Sequence, residues 1–252
     1  MPQHKIVSQS EWTAQRKALL AREKEFTRAR DRLSAERRAL PWVKVEKPYV
    51  FDTPAGKKTL DELFDGRSQL IVYHFMLGPG WVGGCPNCSY LADHFDGAIV
   101  HLSHRDATFV VVSRAPLAEI EAYKKRMGWR FKWVSSFGSD FNFDYRVSFP
   151  EDQVGFEGEY NYETQEIGSD EMPGASVFYK DPDDGGVFHT YSAYARGLDI
   201  LIGAYNWLDL TPKGRDEAEL PWTMAWLRRH DEYEEAKSAA SCCGSHPDSS
   251  AA

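Results

Sequence analysis

Two cysteines, Cys85 and Cys88, stand between a strand pattern and a helical pattern, and this placement leaves few folds open to the chain. Residues 70–75 are a run of apolar and aromatic residues, which is typical of a strand buried on both faces. A glycine-rich loop over 78–84 ends at Cys85, and Pro86 suits the first turn of a helix. The Cys85 sulfur is therefore expected at a helix N-terminus, where unpaired N–H groups and the helix dipole favour a thiolate over a thiol.

Strand and helix patterns alternate on both sides of this dithiol. Before it, residues 49–58 indicate a strand and a turn, and residues 60–66 indicate a short helical turn. After it, the predicted elements are, in order, a helix over 86–104, a strand over 108–112, a helix over 117–127, a strand over 131–134, a hairpin of strands 175–179 and 187–191, and a closing helix over 197–208. This succession predicts an α/β fold with a central, partly parallel sheet flanked by helices.

These patterns divide the chain into four parts. The parts are an N-terminal helical arm over 1–45, an α/β domain over 46–210 with an irregular insertion over 137–171, a C-terminal helical extension over 211–235, and a disordered tail over 236–252. In the arm, one large apolar residue recurs every seven positions: Trp12, Leu19, Phe26, Leu33 and Leu40. Because this stripe is narrow, two interpretations stay open: the arm packs on its own domain, or it packs on a second subunit and makes a homodimer.

Composition limits the partners of the chain. The net charge of −8 argues against nucleic acid, because phosphate binding needs clustered Lys and Arg. No stretch approaches the ~20 apolar residues of a membrane helix, and the first residues lack the apolar core of a signal peptide. We therefore expect no nucleic acid and no membrane as partners, and we predict a cytoplasmic location.

The four cysteines form two close pairs, Cys85/Cys88 and Cys242/Cys243. They are not spread along the chain as in a disulfide-stapled secreted domain, so the pairing predicts redox or metal chemistry. Cys88 lies one helical turn beyond Cys85 and is expected deeper in the fold. In this hypothesis Cys85 attacks a disulfide, and Cys88 then displaces the product thiol from the mixed disulfide. The expected partners are protein or small-molecule thiols and disulfides and an external thiol reductant, with no bound cofactor and no metal.

The order of elements and two motifs resemble the thioredoxin superfamily. The motifs are Cys85-Pro86-Asn87-Cys88 at a helix start, and Glu171 to Ala175 leading into a hairpin and a final helix. In that superfamily a cis-proline before the hairpin faces the dithiol, and Met172-Pro173 is the matching position. The resemblance implies a thioredoxin-like fold, with the Met172 backbone hydrogen-bonding an incoming substrate strand and Pro173 facing the substrate.

The resemblance extends beyond the dithiol domain. The leader over 49–75 resembles peroxiredoxin-like and membrane-tethered reductase branches of the superfamily. With its long N-terminal helix and its insertion, the whole chain is similar to a bacterial family catalogued as predicted dithiol-disulfide oxidoreductases (domain of unknown function 899). This resemblance implies a thiol-disulfide oxidoreductase.

The chain departs from the thioredoxin pattern at two places. Pro86-Asn87 stands between the cysteines where thioredoxins have Gly-Pro. Both residues are candidate substrate contacts, and this departure leaves the reduction potential of the Cys85/Cys88 couple open. Gly84 replaces the tryptophan that normally precedes the first cysteine. Trp81 is therefore a candidate for covering the site, with a packing role as the alternative.

Two other functions stay open at this point. A thiol peroxidase would use Cys85 with a nearby hydroxyl and an arginine, for which Arg146 is the candidate; but Val82 stands where the peroxiredoxin pattern has a threonine. A non-enzymatic zinc site would join Cys85 and Cys88 to two further ligands, for which the candidates are Cys242, Cys243, His246, His94 and His74.

Two segments have no assigned role in these readings. The tail pair Cys242-Cys243 is either a secondary dithiol that passes electrons to Cys85 and Cys88 or an exposed chain end. The insertion around Phe156, Tyr160 and Tyr162 is either a lid near the dithiol or a packing element.

Overall fold

A computed structural model describes residues 4–233, which divide into two units at Trp42. In the first unit the described residues form one long helix, α1 (Gln9–Arg38). The Ser8 hydroxyl caps it by accepting a hydrogen bond from the Glu11 N–H at 3.2 Å, and the basic pair Arg37 and Arg38 lies in the last turn, where it complements the helix dipole. The predicted N-terminal helix is confirmed.

The described residues of the second unit, 43–233, contain ten strands in two sheets. In chain order they are β1 (Val43–Lys44), β2 (Val50–Thr53), β3 (Gly56–Thr59), β4 (Gln69–His74), β5 (Ala107–Ser113), β6 (Trp133–Ser135), β7 (Glu157–Tyr160), β8 (Glu163–Glu166), β9 (Gly174–Lys180) and β10 (Val187–Tyr194). Strands β7 and β8 pair only with each other, whereas the other eight form a mixed sheet in the order β1-β10-β9-β4-β5-β6-β2-β3.

Helices connect and cover these strands. They are α2 (Leu60–Leu63), α3 (Pro86–Ala92), α4 (Asp96–Ser103), α5 (Leu117–Met127), α6 (Phe141–Asp144) and α7 (Gly203–Leu208), with 3-10 turns at Glu151–Gln153 and Ala195–Leu201. Among the described residues, no helix combines the length and the apolar character that crossing a bilayer requires.

The centre of the sheet has thioredoxin-like topology. Strand β4 runs parallel to β5, with Val72 opposite Val110, and antiparallel to β9, with Val72 opposite Ser176. Strand β10 in turn pairs antiparallel with β9. Helices α3 and α4 make the crossover between β4 and β5, and the predicted thioredoxin-like α/β fold is confirmed.

Alternation along β4 divides the core between the two faces of the sheet. Leu70 and Val72 pack in one apolar cluster, whereas Tyr73 and Phe75 belong to a second cluster that includes Cys88, because neighbouring side chains of a strand point to opposite faces. The cluster around Cys88 is rich in aromatic rings. The helix that follows Cys85 therefore packs on a layer of aromatic side chains.

The structure differs from the predicted helices at the C-terminal end. The predicted helix over 197–208 is a 3-10 turn followed by α7, and residues 211–233 form successive turns where a helical extension was expected. Asp216 and Met224 have φ angles of 53° and 72°, which a right-handed helix does not allow. The Glu217 carboxylate accepts hydrogen bonds from the Met224 N–H at 3.1 Å and from the Trp226 indole at 2.7 Å, so it organises this segment locally.

The dithiol helix is also shorter than predicted. The helical pattern over 86–104 breaks between α3 and α4 at residues 93–95, where i→i+3 hydrogen bonds tighten the chain. The predicted tail over 236–252, with Cys242, Cys243 and His246, lies outside the described residues.

Candidate active site

The loop that carries Cys85 is held by the carboxyl ends of β4 and β5. The Cys85 N–H donates to the Met76 carbonyl at 3.0 Å, and the Ala115 N–H donates to the Leu77 carbonyl at 2.9 Å. Helix α3 starts directly after Cys85 with Pro86 in its first turn, as the sequence pattern predicted. The dithiol thus lies at the edge where the two central parallel strands end.

Gly84 is required by the close packing of this loop. A β-carbon at residue 84 would lie 2.7 Å from a ring carbon of Tyr123, and closer still to the ring of Phe75. No side chain fits at residue 84 unless the rings of Phe75 and Tyr123 move. This contact explains why a glycine stands where thioredoxins have a tryptophan.

The two thiols occupy different environments. Both are free cysteines; Cys85 is partly exposed, whereas Cys88 is buried with 2% of its surface exposed. The Ser89 hydroxyl donates to the Cys85 carbonyl at 2.8 Å and also hydrogen-bonds the Tyr123 hydroxyl at 2.8 Å. The backbone of the first turn is therefore fixed from the side of α5.

These environments separate the pKa values of the two thiols. A hydrogen bond from the Cys88 thiol, with further help from the N–H groups of Cys88 and Asn87 and the charge of Arg229, lowers the pKa of Cys85 from 9.0 to about 7 against the effect of burial. Although the Cys85 side chain makes no full capping hydrogen bond, these N–H groups favour its anion. Burial raises the pKa of Cys88, and the neighbouring Cys85 sulfur raises it further.

Two tyrosines interact with Cys88; Tyr73 was not predicted as a site residue, and Tyr160 was named only as part of a possible lid. The Tyr73 hydroxyl hydrogen-bonds the Cys88 sulfur and partly offsets the rise in the Cys88 pKa. Tyr73 is fully buried, and burial holds its own pKa well above its usual range. Tyr160 interacts electrostatically with Cys88, and burial likewise raises the Tyr160 pKa. Alternation along β4 marks Tyr73 as facing the dithiol side, but the sequence carries no comparable signal for Tyr160.

The Met172–Pro173 loop differs from the superfamily expectation. The peptide bond before Pro173 is trans, as are all the peptide bonds of the described chain, so the predicted cis-proline is wrong. Trans is the intrinsically favoured form of such a bond, and side contacts hold this loop: the Met172 N–H donates to the Val147 carbonyl at 2.8 Å. The Met172 N–H is therefore already hydrogen-bonded within the fold.

Pro173 nevertheless lies at the same sheet edge as the dithiol. Gly174, the next residue, pairs with His74 at the end of β4, and Met76 just beyond holds the Cys85 N–H. The Tyr160 hydroxyl donates to the Pro173 carbonyl at 2.7 Å and accepts from the Ala195 N–H at 3.0 Å. The insertion therefore supplies a residue that supports this loop.

An ion pair holds the other side of the same loop. The Arg114 Nε lies 2.6 Å from the Glu171 carboxylate, and the Ser148 hydroxyl donates to the same carboxylate at 2.8 Å. Glu171 is 1% exposed. Burial raises the Glu171 pKa to about 7, opposed by Arg114 and Ser148.

The other predicted substrate contacts, Pro86, Asn87 and Trp81, differ in how exposed their side chains are. Asn87 is exposed and Pro86 is partly exposed, so both lie at the surface beside Cys85. Trp81 is partly buried and packs against the cluster that contains Cys88. Its indole nitrogen would lie 2.9 Å from a β-carbon at Gly78, so the ring folds back over the start of the loop.

A distant arginine contacts the dithiol loop and was missed from the sequence. Arg229 donates to the Gly84 carbonyl through Nε at 3.0 Å and through Nη2 at 2.8 Å. A separation of 145 residues along the chain leaves no local signal for this contact. The guanidinium lies one peptide bond from Cys85.

The residues named for a peroxidase and a zinc site lie elsewhere. Arg146 pairs with Glu159 at 3.6 Å, with both side chains exposed. His94 accepts a hydrogen bond from the Ala204 N–H at 3.0 Å, and His74 hydrogen-bonds Ser176 at 2.9 Å; burial lowers the pKa of His74 to about 3. Within residues 4–233, no group of three or more His, Cys, Asp or Glu side chains is placed to hold a metal.

The insertion contributes both surface and core. Phe156 and Tyr162 are 67% and 69% exposed, whereas Tyr160 is 2% exposed. The hairpin of β7 and β8 turns at Asn161 and Tyr162, which have φ angles of 54° and 64°. Tyr160 therefore points inward from a hairpin whose tip is at the surface.

Comparisons with known proteins give one family and a set of distant structures. The family model described as "Bacterial protein of unknown function (DUF899)" matches residues 1–233. No curated protein matches the sequence. The fold assignment rests on the strand order described above.

Three solved structures illustrate the distant similarity. A cysteine-to-serine mutant of PrxQ from Xylella fastidiosa is 12% identical with a TM-score of 0.42, covering 66% of this chain and 95% of that one. A cysteine-to-serine mutant of peroxiredoxin Q from Xanthomonas campestris is 14% identical with a TM-score of 0.42, covering 66% and 96%. The mitochondrial 2-cys peroxiredoxin from Plasmodium falciparum is 13% identical with a TM-score of 0.40, covering 68% and 95%.

Proposed function

The chain belongs to the DUF899 family of bacterial proteins of unknown function, and we propose that it is a thiol-disulfide oxidoreductase acting through Cys85 and Cys88. The observation that carries this proposal is the unequal state of the two thiols. Cys85 is partly exposed with a pKa of about 7, whereas Cys88 is buried with a raised pKa. An exchange reaction needs this division between an attacking and a resolving thiol.

In the proposed reaction, the Cys85 thiolate attacks one sulfur of a substrate disulfide. A bond forms between Cys85 Sγ and that sulfur, the substrate S–S bond breaks, and the other sulfur leaves as a thiolate. Cys88 then loses its proton and attacks Cys85 Sγ, so that the second substrate sulfur leaves and takes up a proton. The protein has lost two electrons to the substrate and is reset by two electrons from an external thiol reductant.

The buried surroundings of Cys88 support its role as the resolving thiol. While Cys88 stays protonated, it donates to the Cys85 sulfur and stabilises the thiolate before attack. Once the mixed disulfide has formed, that anion no longer exists. The Tyr73 hydroxyl then favours the Cys88 anion that must attack.

The test uses variants with one cysteine replaced and a chromogenic aromatic disulfide; turnover is measured with dithiothreitol, and adduct formation is measured without it, because dithiothreitol cleaves a mixed disulfide. Cys85→Ser is expected to abolish catalysed reduction. Cys88→Ser is expected to release one thiol per protein at first and to gain the mass of one substrate half on Cys85. Release of a full turnover's thiols by Cys85→Ser, or no adduct on Cys88→Ser, would contradict the proposal.

The same variants examine the peroxidase alternative. Hydrogen peroxide replaces the disulfide, and dithiothreitol remains the reductant. Catalysed peroxide removal that persists in Cys88→Ser, together with no disulfide reduction by the unmodified protein, would replace the oxidoreductase with a peroxidase that uses Cys85 alone.

A further inference from the structure

Arg229 reaches the dithiol loop from a segment 145 residues away along the chain. Its guanidinium donates to the Gly84 carbonyl through two nitrogens, Nε at 3.0 Å and Nη2 at 2.8 Å. This fork uses a geometry that lysine cannot reproduce. Gly84 is buried, so its carbonyl depends on a partner inside the fold.

Gly83 allows this close approach. A β-carbon at residue 83 would lie 3.3 Å from the Arg229 Nη2, which is tighter than ordinary van der Waals contact. The guanidinium therefore lies directly against the backbone of the loop. The two consecutive glycines before Cys85 make room for different neighbours. At Gly83 the space of a β-carbon is taken by Arg229, and at Gly84 it is taken by the rings of Phe75 and Tyr123.

Arg229 is itself held in place by carboxylates and by α5. Its Nη1 lies 2.9 Å from the Glu232 carboxylate, and Glu232 also pairs with Arg126 at 2.8 Å. Arg126 in turn pairs with Asp231 at 2.8 Å. The segment 229–232 is thus joined to α5 by ion pairs with Arg126, and it contacts the dithiol loop through Arg229.

Both polar groups of the peptide unit between Gly84 and Cys85 are hydrogen-bonded. Arg229 holds the Gly84 oxygen, and the Met76 carbonyl holds the Cys85 N–H. Together these contacts set the direction in which the Cys85 side chain leaves the backbone. They also place a positive charge near the Cys85 sulfur.

We propose that Arg229 is a positioning residue for the Cys85 nucleophile, holding the Gly84–Cys85 peptide in its reactive orientation and lending its charge to the thiolate. The inference rests on the proposed function, in which Cys85 is the attacking thiol. It assigns a role to the C-terminal segment that the dithiol motif does not reveal.

Other titratable groups face the same site and must be kept constant in a test. Cys88 and Tyr73 face the Cys85 sulfur from α3 and β4. Tyr123 on α5 faces Arg229, and Glu232 and Arg126 face it from the other side. Variants are therefore confined to Arg229 and to a neighbouring arginine that contacts none of these groups.

Arg228 provides that matched control. Its side chain is exposed, and it donates to the Leu227 carbonyl at 2.8 Å. Arg228→Gln and Arg229→Gln remove the same charge from adjacent positions in the full-length chain. Only the second variant removes the contact with Gly84.

The experiment measures the rate of iodoacetamide alkylation of Cys85 from pH 5 to pH 9, resolved by peptide mass spectrometry so that Cys85 is followed separately from the other cysteines of the chain. Arg229→Gln is expected to alkylate about threefold to tenfold more slowly at pH 6, with the midpoint of the profile moved to higher pH. Arg228→Gln is expected to match the unmodified protein. Identical profiles for Arg229→Gln and Arg228→Gln would overturn the proposal.

Arg229→Lys separates charge from hydrogen-bond geometry and also carries the test if Arg229→Gln does not fold. It keeps the charge but cannot fork onto the Gly84 carbonyl, so its alkylation at pH 6 is expected to be slower by about twofold. A profile identical to that of the unmodified protein counts against the proposal in that case.

Alkylation does not depend on disulfide turnover, so the two proposals fail separately. A shifted profile in Arg229→Gln without any disulfide reduction by the unmodified protein leaves the positioning role in place and removes the proposed function. Normal disulfide reduction by the unmodified protein, with an unshifted alkylation profile in Arg229→Gln, keeps the proposed function and removes the positioning role of Arg229.

Discussion

The Tyr160 hydroxyl donates a 2.7 Å hydrogen bond to the carbonyl of Pro173 and so ties the insertion to the loop beside the dithiol. Tyr160 is 2% exposed although it lies in a hairpin whose neighbouring residues face solvent. Its hydroxyl also accepts from the Ala195 N–H. One side chain therefore joins the insertion, the loop before β9 and the turn after β10.

We expect Tyr160→Phe to lower the free energy of unfolding by about 1–3 kcal/mol, because the N–H of Ala195 and the carbonyl of Pro173 both lose their hydrogen bond to the Tyr160 hydroxyl. Urea denaturation measures the change. Tyr162→Phe is the control, since Tyr162 is 69% exposed and donates a longer bond, 3.3 Å, to Ser192. An equal loss in the two variants would show that the Pro173 contact has no special weight.

Gly84→Ala should destabilise the protein by about 1–3 kcal/mol, because its methyl group would overlap the rings of Phe75 and Tyr123. Gly97→Ala is the matched control in α4: nothing lies within 4 Å of a β-carbon there. That substitution is expected to be neutral or stabilising by up to about 1 kcal/mol. Thermal and urea unfolding of both variants decide the point, and a stable Gly84→Ala protein would refute the packing argument.

The reduced protein should show one thiolate that titrates near pH 7. Absorbance at 240 nm is expected to rise with a midpoint at about pH 7 and to lose that step in Cys85→Ser. Cys88→Ala should move the step to higher pH, because it removes the hydrogen bond from residue 88, the largest contribution to the lowered pKa of Cys85. An unperturbed thiol titrates at about pH 8.5, so a first step above pH 8 in the unmodified protein contradicts the thiolate assignment.

The same pKa shift predicts how stability changes with pH. The folded pKa of Cys85, about 7, lies below its ordinary 9.0, so folding favours the anion. This contribution is absent below about pH 7 and grows as the pH rises towards 9. The difference in unfolding free energy between the reduced protein and Cys85→Ser should therefore increase between pH 7 and pH 9; a difference that stays flat would contradict the shift.

Glu171 predicts the opposite slope at lower pH. Burial raises its folded pKa from 4.5 to about 7, so its contribution to stability is present below pH 4.5 and is lost as the pH rises through 7. Between pH 4.5 and pH 7 the unmodified protein should lose stability relative to Glu171→Gln, measured by urea denaturation. Glu159→Gln is the control, because that carboxylate is 56% exposed, and it should produce no such slope.

Much of the local structure could be predicted from the sequence. Helix α5 spans Leu117–Met127 and ends at Gly128, which has a φ of 68°, as the C-cap pattern indicated. The hairpin punctuation after β9 was equally reliable, because its turn residues are neighbours in the chain. The boundaries of β10 were less accurate: the strand continues to Tyr194, where it pairs with Gly174.

Two predictions were wrong, one for a whole segment and one for a single peptide bond. A helical extension was predicted over 211–235, but in residues 211–233 the Glu217 carboxylate and two left-handed residues form turns. The cis-proline came from a resemblance, and the trans bond before Pro173 shows that the likeness does not extend to this peptide. The domain boundaries and the oligomeric state stay predictions.

The sequence by itself determined that a dithiol would open a helix after a central strand, because helix capping and strand burial depend on residues close together in the chain. Only the tertiary structure decided what acts on the two sulfurs: the Tyr73 hydroxyl at Cys88, and Arg229 against the Gly84 carbonyl. Hydrogen bonds and charges act over a few ångströms in space, whatever the separation along the chain. The reactivity of Cys85 therefore follows from contacts that no local pattern records.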